Sequence, residues 1–286
     1  MNAMVAPQQL GVITSLWYVN AIAIVLLLYV PSICRLTLLA GYTVGLSTGY
    51  WLADVAGTAH LTVMLANLAE IILAVQLLQR SQYARNFYFD IHSAMQLGLY
   101  GIFLPGLLGG VFAFLGDYQL TSMHWLDVGI AWSVNSVVCN ASVIPLLLLI
   151  KHHRWHRWQQ SRLVFQLLLL LGYTALILKY FPFPFVYLGL GLALIAIRNG
   201  VFGAALAGFL VSFCIACFIR IGWFSWPQYD NHLLTLFVYL PILTTLIPPL
   251  LLAIFVDALH TREQQLFARE SMFREAMSAS ALRSEK

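Results

Sequence analysis

Charge is what this sequence has least of. Only 9% of its 286 residues are Asp, Glu, Lys or Arg, while 61% are hydrophobic. A soluble globular domain carries about 25% charged residues. No soluble fold of this length could hide so much apolar surface, so the composition points to a polytopic membrane protein. The first nine residues hold no Lys or Arg, so no basic leader of a secretory signal peptide is expected. The net charge of +4 is modest and sits mostly in short connections. That pattern fits orientation in a membrane and argues against nucleic acid as a partner. Cysteine is scarce too: Cys34, Cys139, Cys214 and Cys217, all in or beside apolar segments. Cys214 and Cys217 have the spacing of a metal or redox pair. They lie in a continuous apolar stretch with no second pair and no nearby His, so small packing residues are the better reading. The sequence also lacks a hydrolase elbow, a phosphate-binding Gly loop and an H-E-x-x-H pattern. No catalysis, metal site or cofactor is therefore expected, and the chain is not read as an enzyme.

What is present is a series of apolar segments. A helix needs about 20 apolar residues to cross the hydrocarbon core. Nine segments qualify: 10–30, 36–53, 60–79, 94–115, 125–150, 163–180, 184–198, 201–219 and 233–256. The seventh is short, and Arg198-Asn199-Gly200 joins it tightly to the eighth, so the count ranges from eight to ten. With the N-terminus outside, Arg35, Arg80, Arg85, Lys151, Arg154, Arg157, Arg162 and Arg198 fall in cytoplasmic connections. Only Lys179 and Arg220 fall outside. By the positive-inside rule this favours nine crossings and a cytoplasmic C-terminus. The predicted fold is an all-α membrane bundle with a cytoplasmic helix after it. Prolines interrupt several spans: Pro105, Pro145, Pro241, Pro248 and Pro249. Each removes a backbone donor, and broken helices often border binding sites, although a kink absorbed by neighbouring helices is the simpler reading. Gly109-Gly110 and the region Gly203 to Gly208 allow close helix approach.

The strongest chemical signal is Asn67-Leu68-Ala69-Glu70. The two polar residues are three apart, so they share one helix face. Glu70 lies near mid-span, with no Lys or Arg expected at its depth. A carboxyl there faces the bundle interior, a cavity or a partner. Either it carries its proton, or amides and hydroxyls satisfy it. Asn20, Asn135 and Asn140 are also mid-span. The functional expectation is a ligand pocket lined by Asn20, Asn67, Glu70 and one of Asn135 or Asn140. The alternative is a set of structural interhelical hydrogen bonds, each worth under about 2 kcal/mol.

Two aromatic-rich loops suggest membrane lipid as a partner. Lys151-His-His-Arg-Trp-His-Arg-Trp158 holds three His, but its Trp and Arg content fits interfacial anchoring on anionic lipid better than metal or haem. Trp223-Phe-Ser-Trp226-Pro227 would be its counterpart on the other face, or an aromatic lip over a ligand entrance. After residue 256 the composition changes abruptly: the segment 257–286 holds ten acidic and basic side chains. Within it Leu259, Leu266 and Phe273 recur every seven residues, which suits a parallel coiled coil between two copies or an amphipathic helix on the membrane surface. Glu270 and Arg274 form a favourable i, i+4 pair. The chain thus divides into a membrane domain, 1–256, and a cytoplasmic helix or linker, 257–286.

Several of these residues, in order, resemble the first-described membrane-associated sensor domain, the input module of bacterial diguanylate cyclases and histidine kinases. They are Ser15-Leu16-Trp17, Asn67-x-x-Glu70 with Leu77-Leu78-x-Arg80, Pro105-x-Leu107-Leu108-Gly109-Gly110, Trp132 with Pro145, Pro182-x-Pro184-Phe185, Leu240-Pro241 and Ile247-Pro248. Phe273-Arg274-Glu275-Ala276-Met277 is similar to the linker that leads into a PAS or GGDEF domain in such proteins. The chain departs from the family at Tyr18 and Val19, where prolines are usual, at Ser136, where an acid is common, and at Cys139, where Gly is common. The resemblance implies a bacterial inner-membrane sensor that controls a cytoplasmic output through cyclic-di-GMP or two-component signalling. This chain would be the input half, without its output domain, acting as a homodimer or on a signalling partner in trans. The competing expectation is a small secondary transporter with Glu70 as its proton or ion site.

Overall fold

The computed structural model describes residues 18–52, 57–81, 91–117, 125–152, 161–223 and 234–284. Among them every regular element is helical and there is no strand. Helix α1 is Tyr18–Tyr29, α2 is Ser32–Leu52 and α3 is Gly57–Arg80. Helix α4, Ile91–Leu97, passes through a π-helical turn, Gly98–Phe103, into α5, Leu104–Asp117. Helix α6 is Trp125–His152, α7 is Ser161–Tyr180, α8 is Pro184–Ile221 and α9 is Leu234–Ser284. Six stretches among the described residues are long and apolar enough to cross a membrane: Leu61–Arg80, Ile91–Leu115, Gly129–Ile150, Arg162–Tyr180, Pro184–Ile219 and Pro241–Arg274. Apolar helices of this length satisfy their own backbone, which is what hydrocarbon requires. Their outward residues are apolar as well, among them Leu168, Leu169, Val186, Leu190 and Leu194, as lipid-facing surfaces must be.

Helix α6 is the centre of the bundle. Within its apolar stretch 72% of the residues are buried, against 33% in α7. Its Val138, Ile144 and Leu148 join Ile24 of α1, Ile71 and Leu78 of α3, and Leu188 and Leu192 of α8 in one core. Helix α2 is the loosest element, with Ile33, Leu36, Val44 and Trp51 all largely exposed. Against α6 packs α5, closely enough that glycine is needed. A Cβ on Gly110 would collide with Ser133 Oγ and lie 2.5 Å from the Gly129 carbonyl oxygen. The backbones therefore touch where Gly110 and Gly129 meet, as small residues permit.

The prolines act locally. Just before Pro105 the chain widens into the π turn, where the Leu104 N–H bonds to Leu99 O, five residues back. A π turn re-spaces the ladder where a proline has no donor to give. Pro145, Pro241, Pro248 and Pro249 all lie inside continuous helices. The Pro241 carbonyl accepts from the hydroxyls of Thr244 at 3.0 Å and Thr245 at 2.6 Å. The single Thr245 hydroxyl hydrogen is shared between Pro241 O and Phe185 O, the latter at 3.1 Å, tying α9 to the first turn of α8.

Helix α8 is two helices. Gly200 has φ 64° and ψ −164°, a conformation far from helical. A straight helix of 38 residues would be about 57 Å long. Yet Lys179 Nζ, just before its start, lies 5.0 Å from the ring of Trp223, just past its end. The halves 184–199 and 201–221 therefore run back along each other, and the chain reverses at Gly200. The first half pairs antiparallel with α7: Tyr173 OH donates to Tyr187 O at 2.9 Å near one end, and Asn199 Nδ2 to Gln166 Oε1 at 2.7 Å near the other. The tight join read at Arg198-Asn199-Gly200 is this reversal.

Candidate functional site

A polar cluster lies inside the apolar core, built by three helices. Helix α3 contributes Asn67 and Glu70, which share a face as their spacing requires, and both are fully buried. Helix α1 contributes Asn20, and α6 contributes Ser136 and Asn140 four residues apart on one face. Glu70 Oε1 accepts from Asn140 Nδ2 at 2.9 Å. Glu70 Oε2 accepts from Asn20 Nδ2 at 3.0 Å and from Ser136 Oγ at 2.9 Å. The second hydrogen of Asn20 Nδ2 goes to Asn67 Oδ1 at 2.6 Å. Asn67 Nδ2 in turn donates to Val63 O at 2.7 Å, one turn back on α3. Tyr42 on α2 closes the outer side by donating its hydroxyl to Asn20 Oδ1.

Helix α5 forms the floor, where a side chain is missing. A Cβ on Gly109 would lie 3.0 Å from Trp132 Nε1 and 3.1 Å from Glu70 Oε2. Gly109 therefore leaves the space into which the indole edge and the carboxyl fit. One polar atom in this region, Asn140 Oδ1, is buried without a partner, while the Trp132 indole N–H faces the Glu70 carboxyl. Every group bonded to the carboxyl is neutral. Among the described residues no three His, Cys, Asp or Glu side chains gather as a metal would need.

Of the sequence-derived site residues, Asn20, Asn67, Glu70 and Asn140 come together. Asn140 is the α6 amide that reaches Glu70. Asn135 accepts from the Cys139 thiol at 3.7 Å on its own helix. Four participants lie outside the sequence-derived set: Ser136, Tyr42, Trp132 and Gly109. Ser136 carries a usable signal, because it lies one turn before Asn140 on the same helix. The other three depend on which helices meet, which the sequence does not state.

A second polar contact lies at the end of the bundle where α8 reverses. Asp257 Oδ2 accepts from Val201 N at 2.9 Å, capping the restarted helix. A Cβ on Gly200 would meet that carboxylate at 2.6 Å. The composition changes in sequence at the residue where α9 is fastened to the bundle. Beyond it α9 continues as one helix to Ser284, across the division at 256/257. Leu259, Leu266 and Phe273 are exposed at 57%, 64% and 67%, so nothing among the described residues covers the stripe. Glu270 and Arg274 form their ion pair at 2.5 Å. The His-rich part of the 151–158 run from His153 on, the aromatic segment after Trp223, Ser15-Leu16-Trp17 and the side chains from Glu275 onward lie outside the described residues. Compared with known proteins, the chain matches no protein-family model, no curated protein and no solved structure.

Proposed function

We propose that this chain is a membrane-embedded sensory input module, similar to the membrane-associated sensor domains of bacterial diguanylate cyclases and histidine kinases. It crosses the bacterial inner membrane nine times, the two halves of α8 counting separately, and its C-terminal helix lies in the cytoplasm. It reads a ligand or membrane state at the Glu70 cluster and passes the change to a cytoplasmic output, joined to the tail or acting in trans. Two copies pair through Leu259, Leu266 and Phe273.

The observation that carries this reading is the course of α9. Its Leu243 packs against the small cluster of Ile102, Val137 and Ala141, the last two next in sequence to the cluster residues Ser136 and Asn140 on α6. From there the helix runs unbroken past Asp257, bonded at the α8 reversal, into the exposed stripe. A continuous helix that touches the cluster's scaffold at one end and carries an exposed stripe of seven-residue spacing at the other would link the two physically. An alternative use of the buried carboxyl, as the ion site of a small transporter, requires Glu70-dependent uptake into proteoliposomes; no charged residue among those bonded to Glu70 supports that reading.

The experiment is a distance measurement. A spin label is placed at the exposed tail position Gln265 in the full chain in lipid nanodiscs, and label-to-label distances are recorded for the wild type and for Glu70→Gln. The expected outcome is a paired tail whose distance distribution differs between the two. Identical distributions in both would sink the coupling.

A further inference from the structure

The unpartnered oxygen of Asn140 says what the cluster binds. Asn140 is fully buried, and its amide has one end on Glu70 Oε1 and the other on nothing. A buried polar atom without a partner is destabilising, so its place beside a carboxyl calls for an explanation, and a bound species is one that supplies it. The carboxyl is ringed by neutral donors from every element against it: Asn20 from α1, with Tyr42 of α2 behind it, and Ser136 and Asn140 from α6. On α3 itself the neighbour is Asn67, and on α5 it is Gly109, beside the indole of Trp132. None of these groups carries a charge, so among the described residues only the donors balance the carboxylate. Among the described residues no donor reaches Asn140 Oδ1. The species that would use both the carboxylate and that oxygen is the smallest cation, a proton.

We propose that Glu70 and Asn140 form a proton-binding pair in which the amide of Asn140 turns over with the proton. In the ionised state Asn140 Nδ2–H donates to Glu70 Oε1, as observed. When a proton from the aqueous phase bonds to Oε1, that oxygen becomes a donor. The amide then rotates half a turn, withdrawing Nδ2 and presenting Oδ1 to accept the new O–H. No other bond forms or breaks and no electron moves. Asn20 and Ser136 keep their acceptor, because both bond to Oε2. The way in is on the α2 side, where Tyr42 is only half-buried and the helix is loosely held. The proposal deepens the sensory reading by naming the signal, and rests on it only for the downstream consequence.

The test reads the proton directly. The full chain in lipid nanodiscs is titrated from alkaline to acid buffer while infrared difference spectra are recorded. A carbonyl stretch of a protonated carboxylic acid is expected to grow in on acidification and to be absent in Glu70→Gln. If that variant fails to fold, Glu70→Asp serves instead, which moves the band without removing it. In Asn140→Leu the band is expected at higher frequency, because the acid O–H has lost its acceptor. A carboxyl that stays ionised or stays protonated across the whole range overturns the proposal. So does a band unmoved in Asn140→Leu, or a spectrum that responds to replacing sodium by choline and not to pH. A band that titrates while the tail distances stay fixed leaves the proton site standing and removes the sensory reading. Tail distances that respond while no band titrates do the reverse.

Discussion

Glu70 is held entirely by neutral groups, so what a substitution does there depends on whether an acceptor survives. In Glu70→Leu three donors lose their acceptor at once: Asn20, Ser136 and Asn140. Each buried donor left unpaired costs about 1–3 kcal/mol, so the variant should be destabilised by more than about 3 kcal/mol. Glu70→Gln is different. Its oxygen can take the Oε2 position and keep Asn20 and Ser136, while its amide faces Asn140, whose oxygen has no other partner. With Asn140 turned over, that pairing is complete, and the cost should stay within about 1 kcal/mol. Thermal unfolding in detergent, followed by intrinsic Trp fluorescence, separates the two variants. A Gln variant as unstable as the Leu variant would show that the amide cannot turn. At this scale the sequence was readable where residue type and local spacing carry the signal. A mid-span Glu with an Asn three residues earlier announces a shared buried face. Gly109 could not be read the same way: its role is to be absent beside an indole from a different helix.

Helices are where local and non-local information part company. Long apolar runs fixed the positions of most helices within a few residues, because hydrocarbon leaves the backbone no alternative. The turn of π helix before Pro105 and the form of the break at Gly200 depend on backbone geometry that composition does not encode. At Gly200 two constraints meet: φ 64° with ψ −164° is open essentially to glycine alone, and the space a Cβ would take is filled by the Asp257 carboxylate. Gly200→Ala should therefore destabilise by about 1–3 kcal/mol from backbone strain and also push Asp257 off Val201 N–H. Asp257→Ala leaves the backbone relaxed and removes only the cap, at about 0.5–2 kcal/mol. Because both act on one contact, the double variant should cost less than the two single variants added together. Unfolding midpoints of the four proteins close this cycle, and strict additivity would mean that the cap and the turn are independent.

For the whole molecule the question is what covers the tail. Within one chain, α9 continues past Asp257 with Leu259, Leu266 and Phe273 exposed and, among the described residues, nothing against them. Isolated helices of this kind gain little from their own ion pairs: an exposed i, i+4 pair such as Glu270–Arg274 is worth about 0.3–0.5 kcal/mol. A seam at seven-residue spacing becomes stable when a second, parallel copy buries it, and membrane anchoring favours that pairing by holding both copies in one plane and one orientation. Charge at the centre of the seam is the sharpest probe, since Leu266→Arg places two like charges opposite each other in a symmetric pair. The wild-type chain carrying Leu259→Cys should form an intermolecular disulfide under mild oxidation in the membrane. The same chain with Leu266→Arg added should lose most of that cross-link while its membrane bundle unfolds at the same temperature. A cross-link that survives the charge would place the tail on the lipid surface as a single amphipathic helix, because there the introduced guanidinium could reach the headgroups and nothing would oppose it. The two arrangements also differ in what they can transmit. A paired tail passes on rotation or register between copies, whereas a tail lying on lipid can only be released or held.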